Sequence, residues 1–432
     1  MSQVLSSWGY LPDGWKLSTI KDEMIEITDY VANGSFATLK ENVSYKDTED
    51  YAILVRTADY HNNFKGNFVY IDEHAYNFLS KSKLHGDEII IANVGSVGEV
   101  FKCPRLNKKM SLAPNAIMVK LKGNNDFYYY WFKSRIGQHN ILNLVSGSAQ
   151  PKFNKTHFKA MEIPVPPIDT QDKIASILST FDEKIAINRQ ICENLEAQAQ
   201  ALFRHWFVDF VPFKNGKFIE SEYGTIPEGL QYKRIGEMPH ILETGKRPTG
   251  GVKGINSGVP SIGAENIKGL GCYDYSKTKF VPKEFAASMK KGKINGYELL
   301  IYKDGGKPGY FIPNFAIFGE GYPFNEMCLN EHVFKLDFGN KGYSLFAYFF
   351  FKTKQIMSYL NAQGAKAAIP GINSKDIENI PMPSIDNDCV KNYCSEVEDI
   401  ITQILILSKE SSRLISLRDT LLPKLMSGQI KL

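Results

Sequence analysis

Lysines and arginines gather in four short clusters, and these are the residues of the chain best suited to binding chemistry. The clusters are KSKLHG (81–86), CPRLNKKM (103–110), TGKRPTGGVKG (244–254) and ASMKKGK (287–293). Cationic side chains of this kind contact the phosphates of nucleic acids. The alternative interpretation is ordinary solvated loop charge, because a net charge of +4 favours an acidic partner only weakly.

No catalytic or metal-binding motif accompanies these clusters. The sequence contains no G-x-x-x-x-G-K-[ST] phosphate loop, no H-E-x-x-H and no G-x-S-x-G. The eight histidines lie singly, and the six cysteines form no C-x-x-C pair, which is typical of reduced thiols. The best glycine run, at 95–98, predicts a β-turn in a hairpin. We therefore predict a non-catalytic chain with no metal site and no cofactor of its own.

Two parts of the chain carry the same pattern, which indicates a duplicated domain. LPDGWKLSTI (11–20) matches IPEGLQYKRI (226–235) at an offset of 215 residues, and GDEIIIANVGSVGEV (86–100) matches GYELLIYKDGGKPGY (296–310) at an offset of 210. MEIPVPPI (161–168) returns as ENIPMPSI (378–385), which aligns the two Ile-Pro-x-Pro motifs at an offset of 217. Solenoid periods run roughly 20–50 residues, so this spacing predicts two copies of a larger unit instead.

Local signals inside the two copies agree with one another. Asn154 and Asn373 each precede a short helical pattern, where an asparagine side chain can accept a backbone N–H as an N-cap. FYYYWFKSRI (127–136) and LFAYFFFKTK (345–354) are apolar helical runs at matching places, and we expect their aromatic rings to pack in the core.

Each Ile-Pro-x-Pro motif is followed by a long helical pattern with apolar residues at alternating steps of three and four. This spacing predicts two helices that pair antiparallel through a narrow seam, although each helix packing only on its own domain is an alternative. Asn188 is the polar residue in the first seam and is expected to fix its register. Pro423 is expected to end or kink the second helix. The predicted seam consists of Ile174, Leu178, Phe181, Ile185, Asn188, Leu195 and Leu202 in the first helix and Val397, Ile401, Ile404, Leu414 and Leu421 in the second.

These patterns predict an α+β protein in which two similar mixed α/β domains are separated by two long helices that form an antiparallel coiled coil. The predicted segments are a first domain at 1–168, a central helix at 169–210, a linker with a second domain at 211–386, and a C-terminal helix at 387–432. A chain of 432 residues is long enough for two cores. No apolar run reaches the roughly 18 residues of a membrane helix, and MSQVLSSWGYLPDGWK lacks secretory features, so we expect a cytoplasmic protein.

The stretch 163–210, the C-terminal LRDTLLPKLMSGQIKL (417–432) and the duplicated unit resemble the specificity subunit of Type I restriction-modification systems. The resemblance covers essentially the whole chain and is strongest in the two helical regions. It implies two target-recognition domains that each read one half of a bipartite, asymmetric double-stranded DNA sequence, with the helices as a spacer ruler. It also implies two methyltransferase subunits as partners, optional restriction subunits, and S-adenosylmethionine and ATP bound by those partners.

The resemblance allows candidate DNA contacts to be named, since bases are read by Arg, Lys, Asn, Gln, Ser and Thr and phosphates by Lys and Arg. For any single lysine, a solvated surface position is the alternative, and for Arg56 a structural ion pair is. The candidates are Ser35, Lys40, Arg56, Gln150 and Lys152 in the first domain and Lys246, Arg247, Lys253, Lys268, Lys303, Lys307 and Lys366 in the second.

Two other functions are compatible with the same sequence features. A scaffold that binds only proteins could use the same helices and domains, and salt-sensitive DNA binding distinguishes it from a DNA reader. A DNA-modifying enzyme would need a methyl-donor or nuclease site that the sequence does not contain.

Overall fold

A computed structural model describes residues 5–6, 9–147, 150–305, 309–366 and 369–432. The chain forms two compact units, Met1–Glu183 with Leu414–Leu432 and Lys184–Arg413. Each unit therefore contains one mixed α/β domain and a part of each long helix. The segment boundaries named from the sequence at 168, 210 and 386 remain a prediction.

The described residues of the first unit form twelve strands and, before the first long helix, seven helices. The strands are β1 (Leu5–Ser6), β2 (Gly9–Tyr10), β3 (Lys16–Thr19), β4 (Met24–Asp29), β5 (Ala52–Val55), β6 (Val69–Ile71), β7 (Lys83–Leu84), β8 (Ile89–Ala92), β9 (Val100–Lys102), β10 (Lys109–Leu112), β11 (Ala116–Leu121) and β12 (Glu162–Val165). The helices are α1 (Ile20–Glu23), α2 (Phe36–Asn42), α3 (Thr57–His61), α4 (Glu73–Phe78), α5 (Asn125–Lys133), α6 (Arg135–Leu142) and α7 (Lys155–Ala160).

Two four-stranded sheets form the domain of the first unit. One has the order β4-β11-β8-β9 and is antiparallel, and the other has the order β6-β5-β10-β7 with a parallel pair β5–β10. The runs AILV (52–55) and IIIA (89–92) are buried along their whole length, as expected for strands covered on both faces. The predicted hairpin is confirmed, because β8 pairs with β9 across the glycine turn.

The first long helix, α8 (Ile168–Phe207), precedes the domain of the second unit. The strands that follow are β13 (Phe218–Ser221), β14 (Gly224–Pro227), β15 (Tyr232–Arg234), β16 (Ile241–Thr244), β17 (Val259–Ile262), β18 (Lys279–Val281), β19 (Leu299–Tyr302), β20 (Phe315–Ala316), β21 (Cys328–Leu329), β22 (Val333–Asp337) and β23 (Pro381–Pro383). The helices are α9 (Lys283–Ser288), α10 (Lys341–Phe351), α11 (Lys354–Gly364), α12 (Ser374–Glu378) and the second long helix α13 (Asp388–Met426).

The second domain repeats the topology of the first. Its sheets have the orders β16-β22-β19-β20 and β18-β17-β21, again with one parallel pair, β17–β21. The backbone pairing confirms the offset of 215, since Asp29 lies opposite Ile117 as Thr244 lies opposite Phe334. The linker expected at the start of the segment 211–386 leads into β13, which forms a hairpin with β14.

The alignment of the two Ile-Pro-x-Pro motifs was wrong by two residues. The N–H of Ile20 donates to the carbonyl of Met161, and the equivalent N–H of Ile235 donates to that of Ile380, both at 3.0 Å. The offset here is therefore 219, and Pro164 corresponds to Pro383 instead of Pro381. Strand side chains alternate between faces, so a shift of two residues preserves the buried face and is invisible in the hydrophobic pattern.

The predicted caps and aromatic cores are confirmed. The side chain of Asn154 accepts the N–H of His157 at 2.8 Å, and that of Asn373 accepts the N–H of Lys375 at 2.9 Å. Trp131 on α5 and Phe349 on α10 are fully buried in the cores of their own units.

The two long helices run antiparallel, as predicted. In the second unit, Asn188 contacts Glu410, and the hydroxyl of Tyr393 donates to the carbonyl of Ala199 at 3.1 Å. In the first unit, Arg418 pairs with Asp182. The helices also contribute to the domain cores, so both packing modes considered from the sequence occur.

The seam residues named from the sequence differ in burial. Those that are buried are Ile174, Leu178, Ile185, Asn188, Val397, Ile401 and Ile404, and those that are half-buried are Phe181, Leu195, Leu202, Leu414 and Leu421. Pro423 does not end α13, which continues to Met426. The missing N–H of Pro423 removes only one hydrogen bond, to the carbonyl of Asp419, and the helix ends one turn later.

Candidate nucleic-acid interface

In the first unit, two of the candidate residues also have structural roles. Ser35 is the N-cap of α2, where its hydroxyl accepts the N–H of Thr38 at 3.2 Å. Arg56 donates to the buried carboxylate of Asp59 at 2.6 Å and to the carbonyl of Asn67 at 3.0 Å. The hydrogen bond that Arg56 donates to Asp59 raises the pKa of the guanidinium. The ion pair considered for Arg56 is therefore present, and its guanidinium is held in one orientation.

The other candidates of the first unit are exposed. Lys40 lies on α2, and Gln150 and Lys152 lie on the loop before α7. Lys152 forms an isolated backbone bridge with Val94, which places this loop beside the turn that follows β8. The loop that carries Gln150 and Lys152 therefore lies next to the antiparallel sheet of this unit.

In the second unit, Lys246, Arg247, Lys253 and Lys268 are exposed. The Nε of Arg247 donates to Glu331 at 2.9 Å, and Lys303 donates to the backbone carbonyl of the same glutamate at 3.2 Å. Glu331 therefore brings the loops that carry Arg247 and Lys303 together.

The loop before α12 joins this group. The N–H of Ile372 donates to the carbonyl of Lys303 at 2.8 Å, and the N–H of Gly305 donates to that of Pro370 at 2.9 Å. Lys366, which precedes this loop, donates to Gln363 at 2.8 Å. Lys307 lies outside the described residues.

The acids that orient the two arginines were not identified from the sequence. Asp59 follows Arg56 by three residues across the start of α3, a spacing that could have indicated the pair. Glu331 is far from Arg247 in sequence and comes near it only through the fold, so no local signal was present. Fixed guanidinium groups are suited to bidentate contacts with guanine or phosphate.

Matching tyrosines connect each domain to the first long helix. Tyr130 on α5 donates to Asp182 at 2.8 Å in the first unit, and Tyr348 on α10 donates to Glu196 at 2.6 Å in the second. Burial, followed by the charge of the nearby carboxylate, raises the pKa of both hydroxyls, so they stay protonated donors. Each domain therefore has a directional polar contact with α8 in addition to apolar packing.

Asn188 is fully buried between the long helices of the second unit. Its amide nitrogen donates to Glu410 at 2.7 Å and lies 3.3 Å from the hydroxyl of Ser411, while its amide oxygen accepts no hydrogen bond from the described residues. An unsatisfied buried acceptor lowers stability.

Replacing Asn188 with leucine is therefore expected to raise the free energy of unfolding by about 1 kcal/mol, because it removes the unsatisfied oxygen and adds apolar contact. Chemical denaturation followed by circular dichroism measures the change. Asn194→Leu, at an exposed position of the same helix, is the matched control and should leave the midpoint unchanged. A lower midpoint for Asn188→Leu would mean that the hydrogen bonds to Glu410 and Ser411 outweigh the buried oxygen.

The fold and these sites define a class of protein: a duplicated α/β domain with an antiparallel helix pair and oriented basic residues on loops. Residues 12–197 match the model of the Type I restriction modification DNA specificity domain. The match over these residues confirms the resemblance inferred from the sequence.

Individual relatives extend the match along the chain. The MjaIX specificity subunit of a Type I restriction enzyme from Methanocaldococcus jannaschii is 27% identical over 71% of this chain and 69% of its own length. A second protein of that organism, named for the MjaX Type I restriction enzyme, is 23% identical over 98% of this chain and 95% of its own. The crystal structure of a Type I S subunit from M. genitalium shares the fold, with a TM-score of 0.53, 16% identity and coverage of 98% of this chain and 99% of that one.

None of the helices among the described residues is long and apolar enough to span a membrane. No group of three or more His, Cys, Asp or Glu side chains in the described part of the chain is arranged to hold a metal ion.

Proposed function

We propose that this chain is the DNA-reading subunit of a Type I modification complex, in which each α/β domain binds one half of a bipartite target. The observation that supports this most strongly is the duplicated domain topology with different loop chemistry in the two copies. In the first copy Arg56, which follows β5 of the mixed sheet, is oriented by Asp59, whereas in the second copy Arg247, which follows β16 of the antiparallel sheet, is oriented by Glu331. Different contact groups select different bases, so the two half-sites differ and the target is not a palindrome.

The long helices set the unread spacing between the half-sites. At 1.5 Å per residue, the 40 residues of α8 extend about 60 Å. One turn of B-DNA is about 34–36 Å. A helix pair of this length is sufficient to separate two half-sites by more than one turn.

The chemistry of modification belongs to partner subunits. Two methyltransferase subunits would carry S-adenosylmethionine, and restriction subunits, where present, would carry ATP. This chain contributes recognition and a scaffold and carries no catalysis of its own. We place it in the cytoplasm, where its proposed DNA target and partners meet.

Selection from a randomised duplex library tests the proposal. The full chain in complex with its methyltransferase subunit is incubated with the library, and the bound duplexes are sequenced. The expected result is two different conserved blocks separated by a gap of constant length and variable sequence. A single block, or two blocks related by a palindrome, would contradict the two-domain reader.

The competing function is a scaffold that binds only proteins. Binding of the selected duplex should weaken steeply with rising salt if the chain contacts phosphates, because counterions are released on binding. Absence of any duplex enrichment by an assembled, active complex would favour the scaffold.

A further inference from the structure

Each unit contains a contact between two segments next to its antiparallel sheet. One segment is the loop after β4 or β16, and the other is the segment before β8 or β19. In the second unit these are the loop after β16 and the segment 290–293. A Cβ on Gly292 would lie 2.5 Å from the Cα of Gly245, so the two backbones approach as closely as glycines allow. The N–H of Leu329 donates to the carbonyl of Gly292 at 2.7 Å, which fixes this segment to β21.

The first unit makes the equivalent contact with a side chain. The amide oxygen of Asn33 accepts the N–H of Lys81 at 2.8 Å, and its amide nitrogen donates to the hydroxyl of Ser82 at 2.8 Å. Ser82 is fully buried and lies 3.2 Å from the hydroxyl of Ser111 on β10. The two loops are therefore joined in this unit as well, by different chemistry.

The two segments occupy the same structural position. Gly86 donates its N–H to Glu88 at 2.8 Å, and Gly296 donates its N–H to Glu298 at 2.7 Å, which confirms the offset of 210. Residues 81 and 83 therefore correspond to residues 291 and 293. All four are lysines, although residues 80 and 82 differ from 290 and 292.

These lysines remain available to a ligand. Lys81, Lys290, Lys291 and Lys293 are exposed, and Lys83 is half-buried with its ammonium 4.5 Å from the ring centre of Tyr76. Glu243, an acid that contacts this segment, is engaged by Lys335 at 2.8 Å and by the N–H of Gly292 at 2.9 Å. Its charge is thus compensated by Lys335, and the segment keeps its positive charge.

We propose that these lysines form a phosphate-binding ridge in each unit, made of Lys81 and Lys83 in the first and Lys290, Lys291 and Lys293 in the second. The inference rests on the proposed function and assigns separate roles to the lysine ridge and to the loops that differ between the units. The lysine ridge contacts the DNA backbone in the same way in both units and carries no sequence information, while the loops that differ between the units read the bases. Lysine suits this role because its ammonium is a point charge that binds phosphate without a base-specific geometry.

The test compares salt dependence with sequence preference. The triple variant Lys290→Gln, Lys291→Gln and Lys293→Gln is prepared in the full chain and assembled with its methyltransferase subunit. Its Kd for the selected duplex is measured between about 50 and 200 mM salt. The slope of log K against log salt should become less steep by about one for each lysine that contacts a phosphate. The selected sequence should not change.

Two further variants make the result specific. Lys81→Gln with Lys83→Gln should reduce the slope through the first unit, by up to about two. Lys354→Gln with Lys375→Gln, which removes two exposed lysines on α11 and α12, should leave both slope and affinity unchanged. Circular dichroism establishes that each variant is folded before binding is measured.

The possible failures point to different causes. An unchanged slope in both ridge variants, with wild-type Kd, would overturn the lysine ridge. A changed target sequence would overturn it too, because these side chains would then read bases. If the wild-type complex enriches no duplex at all, the proposed function itself fails, and with it the inference.

Discussion

Replacing Trp131 with alanine is expected to lower the free energy of unfolding of the first unit by about 3–5 kcal/mol. Trp131 is fully buried on α5 and packs against Phe132, with ring centres 5.3 Å apart. It belongs to the core cluster that also contains Ile89 and Ile117 of the central strands. The variant loses both the transfer free energy of the indole and the contacts around the cavity that remains.

Chemical denaturation followed by circular dichroism measures this loss. Trp131→Phe keeps an aromatic ring and is the matched control, with a smaller expected loss. Since whole domains are stabilised by only about 5–15 kcal/mol, Trp131→Ala should leave the first unit largely unable to hold its loops in place. Under the proposed function, the conserved block read by this unit should disappear from the selected duplexes first. A stability equal to wild type would show that the indole is not part of the core.

Replacing Lys335 with methionine is expected to destabilise the second unit by about 3–5 kcal/mol, because it leaves the carboxylate of Glu243 buried without its cation. The two residues lie directly opposite on β22 and β16, with side-chain exposures of only 8% and 14%. Lys335 also donates to the carbonyl of Lys293 at 2.9 Å. The variant should therefore also weaken DNA binding through the lysine ridge.

The double variant Glu243→Gln with Lys335→Met is the control for this prediction. It removes both charges but keeps an acceptor for the N–H of Gly292, so it should recover most of the lost stability. If the double variant is as unstable as Lys335→Met, the missing interaction is not the uncompensated carboxylate.

The dependence on pH provides a second measurement of the same pair. Burial alone would raise the pKa of Glu243, but hydrogen bonds from Lys335 and Gly292 and the charge of Lys335 outweigh it, and the pKa lies below its usual 4.5. A carboxyl group with a lowered folded pKa stabilises the fold above its unfolded pKa. This contribution is lost as the pH falls through the folded value. The stability difference between wild type and the double variant should therefore shrink toward acid pH.

Much of the fold could be predicted from the sequence because the chain contains two copies of one domain. The two copies obey the same physical constraints, so each supports the interpretation of the other. The offsets of 215 and 210 agree with strand pairing, and the caps at Asn154 and Asn373 form as predicted. The alignment of Pro164 with Pro381 instead of Pro383 has a physical cause. Strand side chains point to the same face every two residues, so an error of two residues leaves the hydrophobic pattern unchanged. The end of α13 beyond Pro423 was missed because a proline removes only one backbone donor near a helix terminus.

The candidate site was harder to predict because its geometry depends on contacts distant in sequence. Arg247 meets Glu331, and Gly245 meets Gly292, only after the strands have paired. The basic clusters at 81–86 and 287–293 were visible from composition, but their equivalence follows from the hydrogen bonds at Glu88 and Glu298. Sequence patterns reveal which residues could bind DNA, whereas the fold determines which of them lie together.

Single-molecule sequencing of DNA methylation tests the central claim most directly. The chain is expressed in a methylation-free host with and without its methyltransferase subunit, and the modified positions are mapped across the genome. The account predicts an asymmetric motif of two blocks with a fixed unread gap, present only when both proteins are expressed. Modification by this chain alone, or a symmetric motif with an active partner, would contradict it.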